Sequence, residues 1–284
     1  SIPILGNFSL AIILLVGTGI YFTFRLHFVQ VHNFVFAVKV LMQRNHTRNG
    51  ISSLTAFLLS TAMRVGPGNI LGVTGAISIG GPGALFWMWV SAFFGMATSF
   101  AESTLSQIFK EKRDNEYVGG LPFYARKLLN DSATAGVALS MLYRIPLFFS
   151  SVFTQAFAPD AVFGGAFGLA LSQGIKRGLM SNEAGQGTIT MPAAAAEVAH
   201  PCEQGCVQAL GVFLDTIVIC TLTGFVVIMG SMWLTADANA WFELGKLDKF
   251  LASCGALTGG NDTLYSVVTL LVSVCFGVFA FTRL

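Results

Sequence analysis

Thr61-Ala62-Met63-Arg64-Val65-Gly66-Pro67-Gly68-Asn69-Ile70 lies inside an apolar run, residues 52–79, that is long enough to cross a bilayer. Its centre nonetheless holds an arginine, two glycines, a proline and an asparagine. Pro67 removes a backbone donor and clashes with the carbonyl four residues back, so helical hydrogen bonding is expected to stop between residues 63 and 69. Gly66 and Gly68 leave carbonyls and amides uncovered at the same place. In hydrocarbon each uncovered backbone group costs several kcal/mol, so such a break persists only where it lines a cavity or meets a ligand. The competing reading is a proline kink packed inside a helix bundle.

Composition sets the surroundings of this stretch. Of the 284 residues, 54% are hydrophobic and only 11% are charged, and the mean hydropathy is +0.70. Soluble domains carry about 25% charged residues, so the chain reads as an all-α integral membrane protein in contact with the lipid bilayer. A net charge of +2 and the lack of a long Lys/Arg block give no nucleic-acid signal. The five cysteines, Cys202, Cys206, Cys220, Cys254 and Cys275, form no disulfide framework. His200, Cys202 and Cys206 resemble a metal cluster only faintly, because the paired C-x-x-C knuckle is missing, and no cofactor is expected.

The first apolar helix, residues 6–24, has bases after it and none before it, so it reads as a retained anchor with its N-terminus outside. Arg25, Lys39, Arg44 and Arg48 mark the following segment as cytoplasmic and interfacial. The broken helix ends at Gly80-Gly81-Pro82-Gly83, a turn by composition, and a long helix over residues 84–109 returns to Lys110, Lys112 and Arg113. Trp87 and Trp89 stand near its outer end, where aromatic belts belong. Glu102 falls near the inner interface, where its charge requires no special role. Residues 113–120 read as a polar loop and 121–129 as a short amphipathic helix. The run over residues 133–153 is interrupted by Arg144 and Pro146, and a long helix over 207–233 carries Asp215. Residues 235–263 read as an acidic outer loop, followed by a last helix over 264–282.

A second interruption is expected at residues 161–168, where Gly164, Gly165 and Gly168 stand in a short apolar run. Glycines four apart also let helices pack closely, which is the ordinary explanation of an isolated pair. Two glycine-broken segments in one small membrane protein point instead to a transport site. Asn69 either contacts a ligand beside the first break or glues helices by a hydrogen bond. Arg64 and Asp215 fall at similar depth just below the midplane and form the expected charge pair; the alternative for Asp215 is neutral donors or the cation itself. No arrangement of nucleophile and base stands out, so an enzyme is not expected.

These residues resemble the alanine or glycine:cation symporter family, the sodium:alanine symporters. The resemblance rests on Arg64-Val65-Gly66-Pro67-Gly68-Asn69-Ile70-Leu71-Gly72-Val73, Ile79-Gly80-Gly81-Pro82-Gly83-Ala84 and Glu116-Tyr117-Val118-Gly119-Gly120. It continues through Gly174-Ile175-Lys176-Arg177-Gly178-Leu179-Met180-Ser181-Asn182-Glu183-Ala184-Gly185 and Gly211-Val212-Phe213-Leu214-Asp215-Thr216. The family commonly has Thr where this chain has Pro67, so a hydroxyl contact is lost there.

The resemblance implies a leucine-transporter-like bundle of two inverted five-helix repeats in the plasma membrane. It implies cotransport of sodium, in some members protons, with a small neutral amino acid such as alanine or glycine. On this reading residues 1–51 are an anchor and interfacial segment, 52–143 open the first repeat and 144–284 open the second, all within one polytopic domain. Substrate contacts are implied at Gly66, Gly68, Asn69, Gly164, Gly165 and Gly168, and cation contacts at Val65, Gly66 and Thr282. The chain is also shorter than the family pattern. The third core helix starts at Ala133 and stops near Tyr143, and Arg144-Ile145-Pro146 reads as the lead into the second broken helix. Most of the third core helix and all of the fourth and fifth are therefore expected to be missing. The chain reads either as pieces of a complete protein or as an internally deleted product, and the alternative to symport is a non-transporting membrane protein or inactive deleted symporter that uses its glycines for packing.

Overall fold

In the computed structural model, residues 10–43, 50–113, 116–128, 166–233 and 243–257 are described. Among them the chain is almost entirely helical, as composition requires of a protein that must satisfy its backbone within each apolar segment. The break at Pro67 is present. Helix α4, Ser53–Arg64, stops before Val65 and Gly66, and α5, Pro67–Gly80, restarts with proline in its first turn. Gly66 is extended, with φ −156° and ψ −174°, a conformation open to any residue. The missing N–H of Pro67, tolerated only at a helix start, is therefore what breaks the rod. Gly81 closes α5 at φ 69°, in the left-handed region that favours glycine, and its amide donates to the Ile77 carbonyl.

The helices before the break are α1 (Leu10–Arg25), the single turn α2 (Val29–His32) and α3 (Phe34–Met42). After it come α6 (Gly83–Ile108), α7 (Leu121–Leu128), α8 (Ala166–Asn182) and α9 (Thr190–Ala195). Next is α10 (Pro201–Val212), which runs through a π-helical stretch, Phe213–Ile219, into α11 (Cys220–Trp233). The last described helix is α12 (Lys246–Leu257). Two stretches, Gly83–Ile108 and Pro201–Gly230, are long and apolar enough to cross a membrane, with Ile12–Arg25 and Gly68–Gly80 as shorter apolar helices.

Two sequence expectations change here. The polar loop after α6 is an antiparallel hairpin, β1 (Glu111–Arg113) with β2 (Glu116–Val118), pairing Glu111 with Val118. Glu111 bridges Arg113 at 2.9 Å and also Arg126 on α7. Its hydrogen bond to Arg113 is the main reason its carboxyl is held below the ordinary range. The acidic outer loop contains α12, whose Phe250 and Cys254 are buried; its mixed charges hid an amphipathic helix.

The chain forms two compact units. The first takes Ser1–Arg64, Val90–Val162 and Asn182–Leu214. Its apolar centre is Val40, Phe57 and Val207, backed by Leu41, Leu210 and Leu214. The second takes Val65–Trp89, Phe163–Ser181 and Asp215–Leu284. Its centre is Val73, Ile77, Leu85, Met88, Cys220, Val227, Phe250 and Cys254.

Apolar helices in lipid gain little from the hydrophobic effect, so they rely on close approach at small residues. In the second unit Gly230 lies against α12, where an added Cβ would stand 2.5 Å from Ser253 Cα. Gly230→Ala must push α11 and α12 apart and should cost about 1–3 kcal/mol, read as a lower unfolding temperature in detergent. Gly17→Ala, which meets nothing within 4 Å, is the matched control. Equal stability of the two variants would contradict this packing.

Candidate functional site

Asp215 is fully buried in the second unit, near the start of the π-helical stretch. An ionised carboxylate inside an apolar bundle needs donors, because its water shell has been removed. It has three, all neutral. Asn69 Nδ2 donates to Oδ1 at 2.5 Å, while Ser181 Oγ and Thr216 Oγ1 donate to Oδ2 at 2.7 and 3.0 Å. Ser181 Oγ also lies 3.2 Å from Cys220 Sγ. Asn69 and Ser181 are each 2% exposed and Thr216 is fully buried.

Three separate elements deliver these groups. Asn69 stands in the first turn of α5, a position set by the restart at Pro67. Ser181 is in the last turn of α8. Asp215 and Thr216 belong to the π-helical stretch, where the wider ladder leaves backbone carbonyls less fully engaged; such bulges recur at functional sites. The result is one carboxylate ringed by hydroxyl and amide groups. Among the described residues no group of three or more His, Cys, Asp or Glu gathers as a metal site. Hard oxygen donors carrying a single negative charge match a monovalent cation rather than a transition metal.

Arg177 lies one turn before Ser181 on α8, and its guanidinium rests on α5. An added Cβ at Gly68 would be 3.0 Å from Arg177 Nη2, and one at Gly72 would fall onto the guanidinium itself. The Gly68/Gly72 pair thus seats a side chain and not another helix backbone. Arg177 Nε is buried without a hydrogen-bond partner.

Arg64 and Asp215 belong to different units. Within the units, the ion pairs among the described residues both involve Glu111. Within its own unit Arg64, 4% exposed, donates to the Asn182 carbonyl, to Ser99 Oγ and to Gln208 Oε1 and O. The hydrogen bonds that each charge makes within its own unit are to neutral groups, the alternative that the sequence left open for Asp215. Glu102 needed a partner as well. It is 7% exposed and accepts from the amides of Gly185 and Gly187. Ser181, Thr216, Arg177 and Glu102 were missed as functional candidates, although the first three stood inside the motifs quoted above.

The remaining expected site residues fall out as follows. Val65 and Gly66 form the non-helical joint between α4 and α5. Gly168 lies within α8, so helix has resumed by Ala166 in the second expected interruption. Gly164, Gly165 and Thr282 lie outside the described residues, as does the junction at Tyr143-Arg144. Cys202, Cys206, Cys220 and Cys254 are free thiols. His200 does not gather ligands with Cys202 and Cys206; its Nδ1 caps α10 by accepting from the Cys202 amide at 3.2 Å.

A broken helix, a buried carboxylate at its restart and two span-length apolar helices define a polytopic membrane protein of transporter type. The model of the sodium:alanine symporter family matches residues 3–144 and 136–284, and the chain belongs to that family. It is 33% identical to YrbD of Bacillus subtilis over 351 positions, covering 96% of this chain and 72% of YrbD. It is 32% identical to the sodium/alanine symporter AgcS of Methanococcus maripaludis, covering 92% of this chain and 77% of AgcS. It is 36% identical to the "Probable sodium/glutamine symporter GlnT" of Bacillus subtilis, covering 80% of this chain and 64% of GlnT. The alignment to YrbD is longer than the chain itself, so YrbD has positions that this chain lacks. The two family matches meet at residues 136–144, where the missing helices were expected. A family of transporters also accords with the expectation that the chain is not an enzyme.

The seat of Arg177 is open to a direct check. Gly72→Ala should destabilise the protein by about 1–3 kcal/mol. In an Arg177→Ala background the same substitution should cost less than about 0.5 kcal/mol, since the guanidinium nearest the new methyl is then gone. Equal cost in both backgrounds would show that the guanidinium does not lie there.

Proposed function

We propose that the protein carries a small neutral amino acid, alanine or glycine, across the plasma membrane in symport with sodium. The supporting observation is the buried Asp215 carboxylate, held by neutral donors from the first turn after the helix break, the end of α8 and the π-helical stretch. On this reading sodium replaces the donors' protons around the carboxylate: the Ser181 and Thr216 hydroxyls turn their oxygens inward and the Asn69 amide rotates. A second cation contact uses the Val65 and Gly66 carbonyls with Thr282. The substrate carboxylate meets the amides at Gly66 and Gly68, where the positive end of α5 favours an anion, and Asn69 is shared with the cation. Its ammonium meets carbonyls around Gly164, Gly165 and Gly168. An inverted-repeat frame of alternating access fits this arrangement. Membership of the family supports sodium and alanine, and a relative named for glutamine widens the substrate test to that amino acid.

A second reading has its own observation. The relatives contain positions that this chain lacks, and the family matches meet at residues 136–144. A chain without those helices would keep its membrane fold but not transport.

Proteoliposomes carrying the full chain separate the two. An inward sodium gradient should drive accumulation of labelled alanine above the potassium control, and Asp215→Asn should lower that sodium-driven rate by roughly tenfold or more. Accumulation that ignores the sodium gradient would sink the coupling, and none at all would favour the second reading.

A further inference from the structure

Two buried charges of the first unit, Arg64 and Glu102, hold one turn. Residues 182–187 follow α8 and pass through three left-handed conformations, Glu183 at φ 50°, Gly185 at φ 79° and Gly187 at φ 76°. That path points the amides of Gly185 and Gly187 to one side, making a concave nest for an anion. The Glu102 carboxylate fills it, with Oε1 accepting from Gly185 N at 3.1 Å and Oε2 from Gly187 N at 3.2 Å. The turn is braced internally by Ala184 N on Asn182 Oδ1 at 3.0 Å and by Thr188 Oγ1 on Glu183 Oε2 at 2.6 Å. At its other end, the Asn182 carbonyl accepts from Arg64 Nε at 3.2 Å.

Arg64 is the last residue of α4, directly before the break. Its guanidinium also reaches Ser99 on α6 and Gln208 on α10, and it lies so close to Gly211 that a Cβ there would strike Nη1. Ser99 and Glu102 stand three apart on α6 and so share a face. One face of α6 therefore meets both the guanidinium and the turn. The start of α4 is secured differently, by backbone bonds of 3.0 Å from Ile51 N to Ala195 O and 2.9 Å from Glu197 N to Ile51 O. Between these points one side of α4 presents Leu54, Leu58, Leu59 and Met63, all exposed, while Ala56, Phe57 and Ser60 are buried on the other. The helix is thus held by main chain at its start, by the packing of Phe57 along its middle, and by the hydrogen bonds of Arg64 at its break end.

We propose that Arg64 and Glu102 together form a clamp on residues 182–187 that fixes the break end of α4, and that its release lets α4 pivot about Ile51 during transport. Glu102 is then a positioning residue: it touches neither substrate nor cation, but orients the carbonyl that Arg64 grips. The transport part of this proposal rests on the symport reading; the clamp itself does not.

The test uses the full chain with Cys202, Cys206, Cys220, Cys254 and Cys275 replaced and one cysteine introduced by Ser60→Cys. Ser60 is fully buried on α4. Alkylation of this cysteine in membranes reports how often α4 leaves its seat. Glu102→Gln should speed alkylation by about fivefold or more as the open population rises. In the same membranes it should lower the maximal rate of sodium-driven alanine uptake while leaving KM near its original value, which loss of a ligand contact would not do. Where Glu102→Gln does not elute as a single folded species, Arg64→Lys decides, since it keeps the charge and loses the forked grip. Faster alkylation supports the clamp. Unchanged alkylation in the variant that folds overturns it, as does faster alkylation with a changed KM and an unchanged maximal rate. If the unsubstituted protein takes up no alanine while the variant still alkylates faster, the symport reading fails and the clamp stands.

Discussion

A buried carboxylate whose hydrogen-bond donors among the described residues are all neutral, Asp215, is the constraint that organises the second unit. Such a group is tolerated only when hydrogen bonds replace its lost hydration. Asn69, Ser181 and Thr216 supply them, and each imposes a condition on its own element. Asn69 is in the first turn of α5 because Pro67 ends one helix and starts another. Ser181 is at the end of α8, directly before the turn that leaves that helix. Asp215 and Thr216 stand in a π-helical stretch rather than an ordinary α-helix. Under the proposed symport a site of this kind exchanges its internal donors for a cation, because the hydroxyl and carboxylate oxygens serve either role.

Among the described residues the glycines serve mainly in packing, and only a few serve conformation. Gly66, at the break itself, adopts backbone angles that any residue can reach. Gly68 and Gly72 make room for a guanidinium, Gly205 lets α10 approach Phe100 and Thr104, and Gly230 seats Ser253. The left-handed glycines that matter are Gly81, which ends α5, and Gly185 and Gly187, which shape the nest around Glu102.

Much of this was legible from residues alone. Pro67 marked the break, the Gly80-Gly81-Pro82-Gly83 turn separated α5 from α6, and low charge marked a membrane protein. What escaped was information carried by pairing across distant sequence. Glu102 looked innocuous because depth says nothing of two backbone amides contributed by residues 185 and 187. The hydrogen-bond partners of Arg64, the Asn182 carbonyl, Ser99 and Gln208, likewise come from distant sequence that depth does not reveal. Lys246–Leu257 was taken for a loop because its charges mask a buried face that appears only once Phe250 and Cys254 find α5 and α11. A helix pattern cannot reveal a π-helical stretch either, since it depends on what the wider turn must reach.

Direct binding of radioactive sodium to the purified full chain tests the Asp215 cluster as a cation site without requiring a complete transport cycle. The unsubstituted protein should bind sodium saturably and not lose it to excess potassium, while a folded Asp215→Asn variant should lose most of that binding. Sodium binding of equal affinity and amount in the two proteins would contradict the claim.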